Sequence, residues 1–130
     1  MSGRNAAPKP VVLVVDDEAA LRGLLAMALP RWNVDVLEAG NGVEAIELYK
    51  RHQNKIVLVL MDVNMPGATR PETLEILQQI NPTVRCCFMT GNIGAYQSED
   101  LLRRGAVCII DKPFDLTELA RIIQNQQIAA

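Results

Sequence analysis

Two apolar runs in this chain end in acids. Residues 11–15 read VVLVV and lead into Asp16-Asp17; residues 56–61 read IVLVLM and lead into Asp62. Two further apolar runs end in Thr90-Gly91 and in Asp111-Lys112-Pro113. If the first two runs are neighbouring strands, their ends lie only ~5 Å apart. The carboxylates of Asp16, Asp17 and Asp62 then converge, and each disfavours the charge on the others. A lysine ammonium and a bound divalent cation are the two remedies. Carboxylate oxygens with water suit Mg²⁺, which keeps positions open for phosphate oxygens. No His or Cys stands beside the acids, so the pattern does not suit zinc. Acid, hydroxyl, lysine and metal together point to phosphoryl chemistry. A carboxylate attacks phosphorus once the charge between the two anions is screened. Lys112 would stabilise equatorial oxygens and Thr90 would donate a hydrogen bond to another. The product would be an aspartyl phosphate on Asp62.

This chemistry needs elements that bring the run ends together. Strands are predicted at about 11–15, 34–38, 56–61, 84–89 and 107–111, and helices at about 18–29, 42–51, 72–80, 96–104 and 115–126. The first, third and fourth strands are near-continuous apolar runs, which a parallel sheet buries on both faces. The second, VDVLE, alternates and suits an edge. Leu21, Leu24, Leu25 and Ala28 share a stripe on the first helix, as Leu116, Leu119, Ala120 and Ile123 do on the last. Pro30 is expected to end the first helix, Asn41-Gly42 to open the second and Asp115 to cap the last. Strands alternating with helices make a doubly wound α/β fold. Right-handed crossovers put every strand's C-terminal end on one side, where such sheets bind ligands.

Composition excludes several classes. The chain has 130 residues, 49% of them hydrophobic, enough for one domain with its own core. The formal net charge of −2 and the scattered Lys and Arg give no basic patch for nucleic acid. No apolar run reaches the ~18 residues of a membrane span. The opening MSGRNAAPKP has no hydrophobic core of a secretory signal. Residues 1–9 are expected to be a disordered lead-in, 10–126 the domain and 127–130 a tail. Cys86, Cys87 and Cys108 form no C-x-x-C pair and are expected to be buried, reduced thiols, as in a cytoplasmic protein. Asp111 is expected to be a surface or turn acid, His52 to favour a helix dipole, and Trp32 to serve packing.

VVDD at 14–17, MDVNMPG at 61–67, MTG at 89–91 and DKPF at 111–114 together resemble the receiver domain of two-component response regulators. The resemblance covers residues 10–126. It implies a five-stranded, flavodoxin-like parallel sheet in the order 2-1-3-4-5, with helices on both faces. Asp62 would be the phosphoacceptor. Asp16, Asp17, Asp62 and the backbone carbonyl of Asn64 would hold Mg²⁺. Thr90 and Lys112 would contact the phosphoryl group, and the Lys112-Pro113 bond would be cis. The donor would be a histidine kinase or a histidine phosphotransfer protein. The output would be a downstream protein partner or output domain, with no direct contact to nucleic acid or membrane. Such a domain is not an enzyme in the ordinary sense, since it catalyses only its own phosphorylation and dephosphorylation. By the same resemblance, Asn64 and Asn92 would tune hydrolysis.

Three features depart from the family pattern. Ile109 stands where many receivers carry Tyr or Phe, so no ring can turn inward as the threonine moves. GATRPET at 67–73 reads as about three residues longer than usual, and the helix after it, 74–80, as short. Other functions fit less well. A phosphatase with an aspartate nucleophile wants a second acid where this chain has Asn64. A flavin carrier would find its phosphate repelled by Asp16-Asp17-Glu18. A receiver-like module that is never phosphorylated would not need the full set of acids, threonine and lysine. The chain ends in QNQQIAA, which leaves open a stand-alone receiver that acts by docking or a piece of a longer protein.

Overall fold

Along residues 11–15, Leu13 and Val15 join one apolar cluster while Val12 and Val14 join another. That alternation is the signature of a strand buried on both sides. The computed structural model describes residues 9–63, 70–91 and 98–129. The strands are β1 (Val11–Val15), β2 (Asp35–Ala39), β3 (Ile56–Asp62), β4 (Cys86–Thr90) and β5 (Cys108–Asp111). All pair in parallel, in the order β2-β1-β3-β4-β5. The helices are α1 (Ala19–Ala28), α2 (Gly42–His52), α3 (Arg70–Ile80), α4 (Ser98–Arg103) and α5 (Leu116–Ala129). Leu25 of α1 with Leu119 and Ile123 of α5 covers one face. Ala45 and Tyr49 of α2, Leu74 and Leu77 of α3, and Leu101 of α4 cover the other. The expected fold class is therefore the observed one.

The helix ends follow local chemistry. Asn41 caps α2: its Oδ1 accepts the Glu44 backbone N–H at 2.8 Å, and Glu44 Oε1 accepts the Gly40 N–H at 2.6 Å. The first bond occupies a donor that a helix start leaves open, and the second ties the residue before the cap back onto the first turn. Asp115 accepts the Thr117 N–H at 2.9 Å just before α5. Pro30 does not simply stop the chain after α1. It opens a 3-10 turn, Leu29–Trp32, where its missing N–H is no loss. Asn33 closes that turn at φ 66°, a conformation Asn tolerates better than most residues. Trp32 packs partly buried against the α1/α5 core.

Several expectations are corrected. The helix read as short at 74–80 runs from Arg70 to Ile80, so Arg70-Pro71-Glu72-Thr73 belong to its first turn. Proline is at home near a helix start, which the reading of that stretch as loop overlooked. The rest of GATRPET, residues 67–69, lies outside the described residues, as do 1–8. α5 continues to Ala129 rather than 126. The cysteines differ most. Cys86 is a buried free thiol, but Cys87 and Cys108 are joined in a disulfide. The register of β4 on β5 sets these two opposite each other, with Cα atoms 4.8 Å apart. Their separation of 21 residues in the chain hid that pairing.

Where α2 meets α3, the fold depends on one missing side chain. A Cβ on Gly42 would stand 2.5 Å from Thr73 Oγ1, and Thr73 is itself buried. Gly42→Ala should therefore lower stability by about 1–3 kcal/mol through overpacking, despite alanine's better helix propensity. Urea unfolding measures it; a gain in stability would show that the two helices separate freely.

Candidate functional site

Val15 of β1 pairs with Met61 of β3, so the next residues, Asp16 and Asp62, leave the sheet side by side. Asp62 in turn pairs with Met89 of β4, one residue before Thr90, and Thr90 pairs with Asp111 of β5, one residue before Lys112. Backbone bonds hold these ends in line. Asp16 N donates to Ala39 O at 3.0 Å, Val63 N to Met89 O at 3.0 Å, and Lys112 N to Thr90 O at 2.8 Å. The Lys112-Pro113 peptide is cis.

The side chains meet at the mouth of the sheet. Asp16, Asp17 and Asp62 each place a carboxylate oxygen within 4.8 Å of the others. Asp16 and Asp62 are buried, at 0% and 6% exposure, while Asp17 is exposed. Lys112 Nζ lies 2.9 Å from Asp16 Oδ2 and 3.4 Å from Asp62 Oδ2. The other oxygen of Asp16 accepts the Glu18 N–H at 2.9 Å. Thr90 is buried beside them at the end of β4. Asn64 and Asn92 lie outside the described residues. Asp111 is exposed and stays out of the acid cluster, and Ile109 packs against the α2–α4 side of the sheet.

Two contacts of one residue escaped the sequence reading. Arg22 of α1 donates from Nη1 to the carbonyl of Asp16 at 2.7 Å and from Nε to Glu38 of β2 at 3.3 Å. It ties α1 to the ends of β1 and β2 while leaving the Asp16 carboxylate to Lys112. The sequence signal was a single arginine inside the otherwise apolar AALRGLLAMAL, one turn after the acids.

The charge balance suits a divalent cation. Among the described residues, one ammonium against three carboxylates leaves a formal charge of −2, presented by carboxylate oxygens. A hard cation such as Mg²⁺ fits that donor set.

Burial alone would pull the Lys112 pKa down, but the Asp16 hydrogen bond and the Asp62 and Asp16 charges outweigh it and raise the pKa above the ordinary lysine value. A folded-state pKa raised above the unfolded one contributes stability that is complete below the unfolded value of about 10.4 and is lost as pH rises through the folded value. Burial also raises Tyr49, against a smaller opposing effect from its Asn81 hydrogen bond, and burial raises Cys86. For these two acids the raised pKa means that the unfolded chain loses its proton first, so both add to the same alkaline loss. Unfolding measured upward from pH 8 should therefore show a falling limb in the alkaline range. The gap in stability between wild type and Lys112→Met should narrow along that limb. A gap independent of pH would mean that the Lys112 charge contributes nothing.

Among the described residues, no helix is long and apolar enough to cross a membrane. The response regulator receiver domain family matches residues 12–124. Sporulation initiation phosphotransferase F of Bacillus subtilis is 30% identical over 118 residues, covering 88% of this chain and 90% of that protein. The autoinducer 1 sensor kinase/phosphatase LuxN of Vibrio campbellii is also 30% identical, over 89% of this chain, but the match spans only 13% of LuxN's length. Among solved structures, the receiver domain of HemR from Leptospira biflexa, in its non-phosphorylated form, aligns with a TM-score of 0.80 at 27% identity, over 91% of this chain and 94% of that one. A complex of CheX and CheY with BeF3 and Mg²⁺ from Borrelia burgdorferi aligns with a TM-score of 0.77 at 23% identity, over 92% and 87%. With the family matched across nearly its whole length, and the acids, threonine and lysine gathered at the strand ends, this chain belongs to the response regulator receiver domain family.

Proposed function

We propose that Asp62 accepts a phosphoryl group from a histidine kinase or histidine phosphotransfer protein and that the resulting aspartyl phosphate switches a protein-interaction surface. The observation that carries this reading is Lys112 Nζ lying between the buried carboxylates of Asp16 and Asp62. Asp62 is held rigidly at a strand end, with one cation already partly screening it. The Asp62 oxygen forms the new bond to phosphorus while the donor's P–N bond breaks and the imidazole nitrogen keeps the electron pair. Lys112 and Thr90 hold the equatorial oxygens as charge shifts between them. Asp16, Asp17, Asp62 and the Asn64 carbonyl would hold Mg²⁺, which when bound supplies charge neutralisation between carboxylate and phosphoryl group.

Access and output have their own surfaces. A mainly apolar cleft of ≈ 220 Å³ lined by Glu18, Leu21, Leu24, Lys112, Pro113 and Phe114 adjoins the site and suits the approach of a donor protein. Leu102 after the start of α4 and Val107 before β5 are exposed, and there a downstream partner or output domain would read the switch. The domain would work in the cytoplasm, turning over no substrate but its own phosphate and touching neither nucleic acid nor membrane.

The test is a titration with beryllofluoride, with and without Mg²⁺, followed by backbone NMR. Metal-dependent binding with shifts at Asp62, Thr90 and Lys112 is expected, as the complex of the similarly folded Borrelia protein suggests. Shifts that extend to Ile109 and α5 would show that the switch operates without an aromatic ring. No binding in either condition would overturn the proposal.

A further inference from the structure

β5 is one of the two edge strands of the sheet and the shorter of them. It has four residues, only one of them fully buried, whereas every residue of its neighbour β4 is buried. Backbone bonds from Val107 N to Cys86 O and from Lys112 N to Thr90 O, each 2.8 Å, flank the strand at its two ends. Between them Cys87 and Cys108 face each other in register, 4.8 Å apart at Cα, within the range a disulfide spans. Both side chains lie on the α1/α5 side, with Cys87 fully buried and Cys108 only partly. Cys86, one residue away, belongs to the opposite core and cannot compete for either partner. β5 pairs with β4 alone, so local opening of this edge would expose the bond without breaking the other strand pairings.

We infer that Cys87 and Cys108 form a reversible redox modification site, a dithiol in one state and a disulfide in the other, that clamps β5 to β4 beneath Thr90 and Lys112. The oxidant is a peroxide. The thiolate sulfur of Cys108, the more accessible of the two, attacks one peroxide oxygen. The O–O bond breaks, leaving a sulfenic acid and a hydroxide that takes the thiol's proton and leaves as water. The Cys87 sulfur then attacks the Cys108 sulfur, the S–S bond forms, the S–O bond breaks and a second water leaves with the Cys87 proton. Two thiols and one hydrogen peroxide give one disulfide and two waters; the sulfurs lose two electrons and the peroxide gains them. A dithiol reductant reverses the change by thiol–disulfide exchange and becomes a disulfide itself. The clamp acts on the strand that delivers Lys112 and does not depend on whether Asp62 is ever phosphorylated.

The experiment treats the folded full chain with hydrogen peroxide or with a dithiol, then unfolds it, alkylates it and weighs it. One alkylated cysteine, Cys86, is expected after peroxide and all three after the dithiol. A non-reducing peptide map should join the segments that carry Cys87 and Cys108. The Lys112 amide, bonded to Thr90, should exchange roughly tenfold more slowly in the oxidised protein, and its Tm should be higher by on the order of 10 °C. Cys108→Ser should leave both remaining cysteines open to alkylation after peroxide; the wild-type peptide map decides the matter if that variant does not fold. Three alkylated cysteines after peroxide, a bond through Cys86 or to a second molecule, or a disulfide that the dithiol cannot open without unfolding would overturn the site. Equal Lys112 exchange in the two states would overturn the clamp.

Discussion

Asp62→Asn is expected to reduce phosphoryl acceptance from phosphoramidate to below about 1% of the wild-type level, because an amide oxygen is a far poorer nucleophile than a carboxylate. The substitution keeps the shape of the side chain and leaves the 2.9 Å contact between Lys112 and Asp16 in place, so the fold should survive. Incorporated phosphate, tested for the hydroxylamine sensitivity of an acyl phosphate, gives the answer. Wild-type levels of acyl phosphate on the Asp62→Asn protein would move the acceptor to another residue. Asp16 would be the first to examine, since it is the other buried carboxylate touching Lys112.

Lys112→Met should have two separable effects. The first is on stability. Asp16 is fully buried and depends on the Lys112 ammonium, with the Glu18 N–H as a second donor to its carboxylate. Removing one partner of a buried pair strands the other, at a cost of about 2–3 kcal/mol here because Lys112 itself is partly solvated. The methionine keeps most of the packing, so the loss reports charge. Mg²⁺ should restore much of it, since a cation in the same cluster does the same electrostatic work. Urea unfolding with and without Mg²⁺ measures this, and a loss indifferent to the metal would mean that the three carboxylates do not act as one cluster. The second effect is on rate. Without the ammonium, phosphoryl transfer should slow by roughly 10²–10³, the magnitude typical of losing one group that stabilises transition-state charge.

The sheet was legible because its signal is physical and local. Strands buried on both faces need unbroken apolar runs, and β1, β3 and β4 show them. The alternating β2 was read as an edge and stands at one. The acids were legible for a related reason: a carboxylate at the end of such a run has no place in the core, so its position needs an explanation. What stayed hidden depends on register. Nothing in the spacing of Cys87 and Cys108 says that the crossover through α4 will bring them opposite. The tie from Arg22 to Asp16 was hidden because its acceptor is a backbone carbonyl, which has no sequence signature. The start of α3 was misplaced because Pro71 reads equally as a loop residue and as part of a helix's first turn.

The 3-10 turn that follows α1 has an optical consequence. It holds the protein's sole indole, Trp32, against the core shared by Leu25, Leu119 and Ile123. Trp32 precedes β2, whose far end points toward the acids, so about a strand's length, ~15 Å, lies between the fluorophore and the level of the acid cluster. Its emission should shift to longer wavelength as the chain denatures, yet hold steady when ions fill the pocket. Fluorescence therefore offers a clean single-site gauge of unfolding, while occupancy of the pocket calls for a separate reporter.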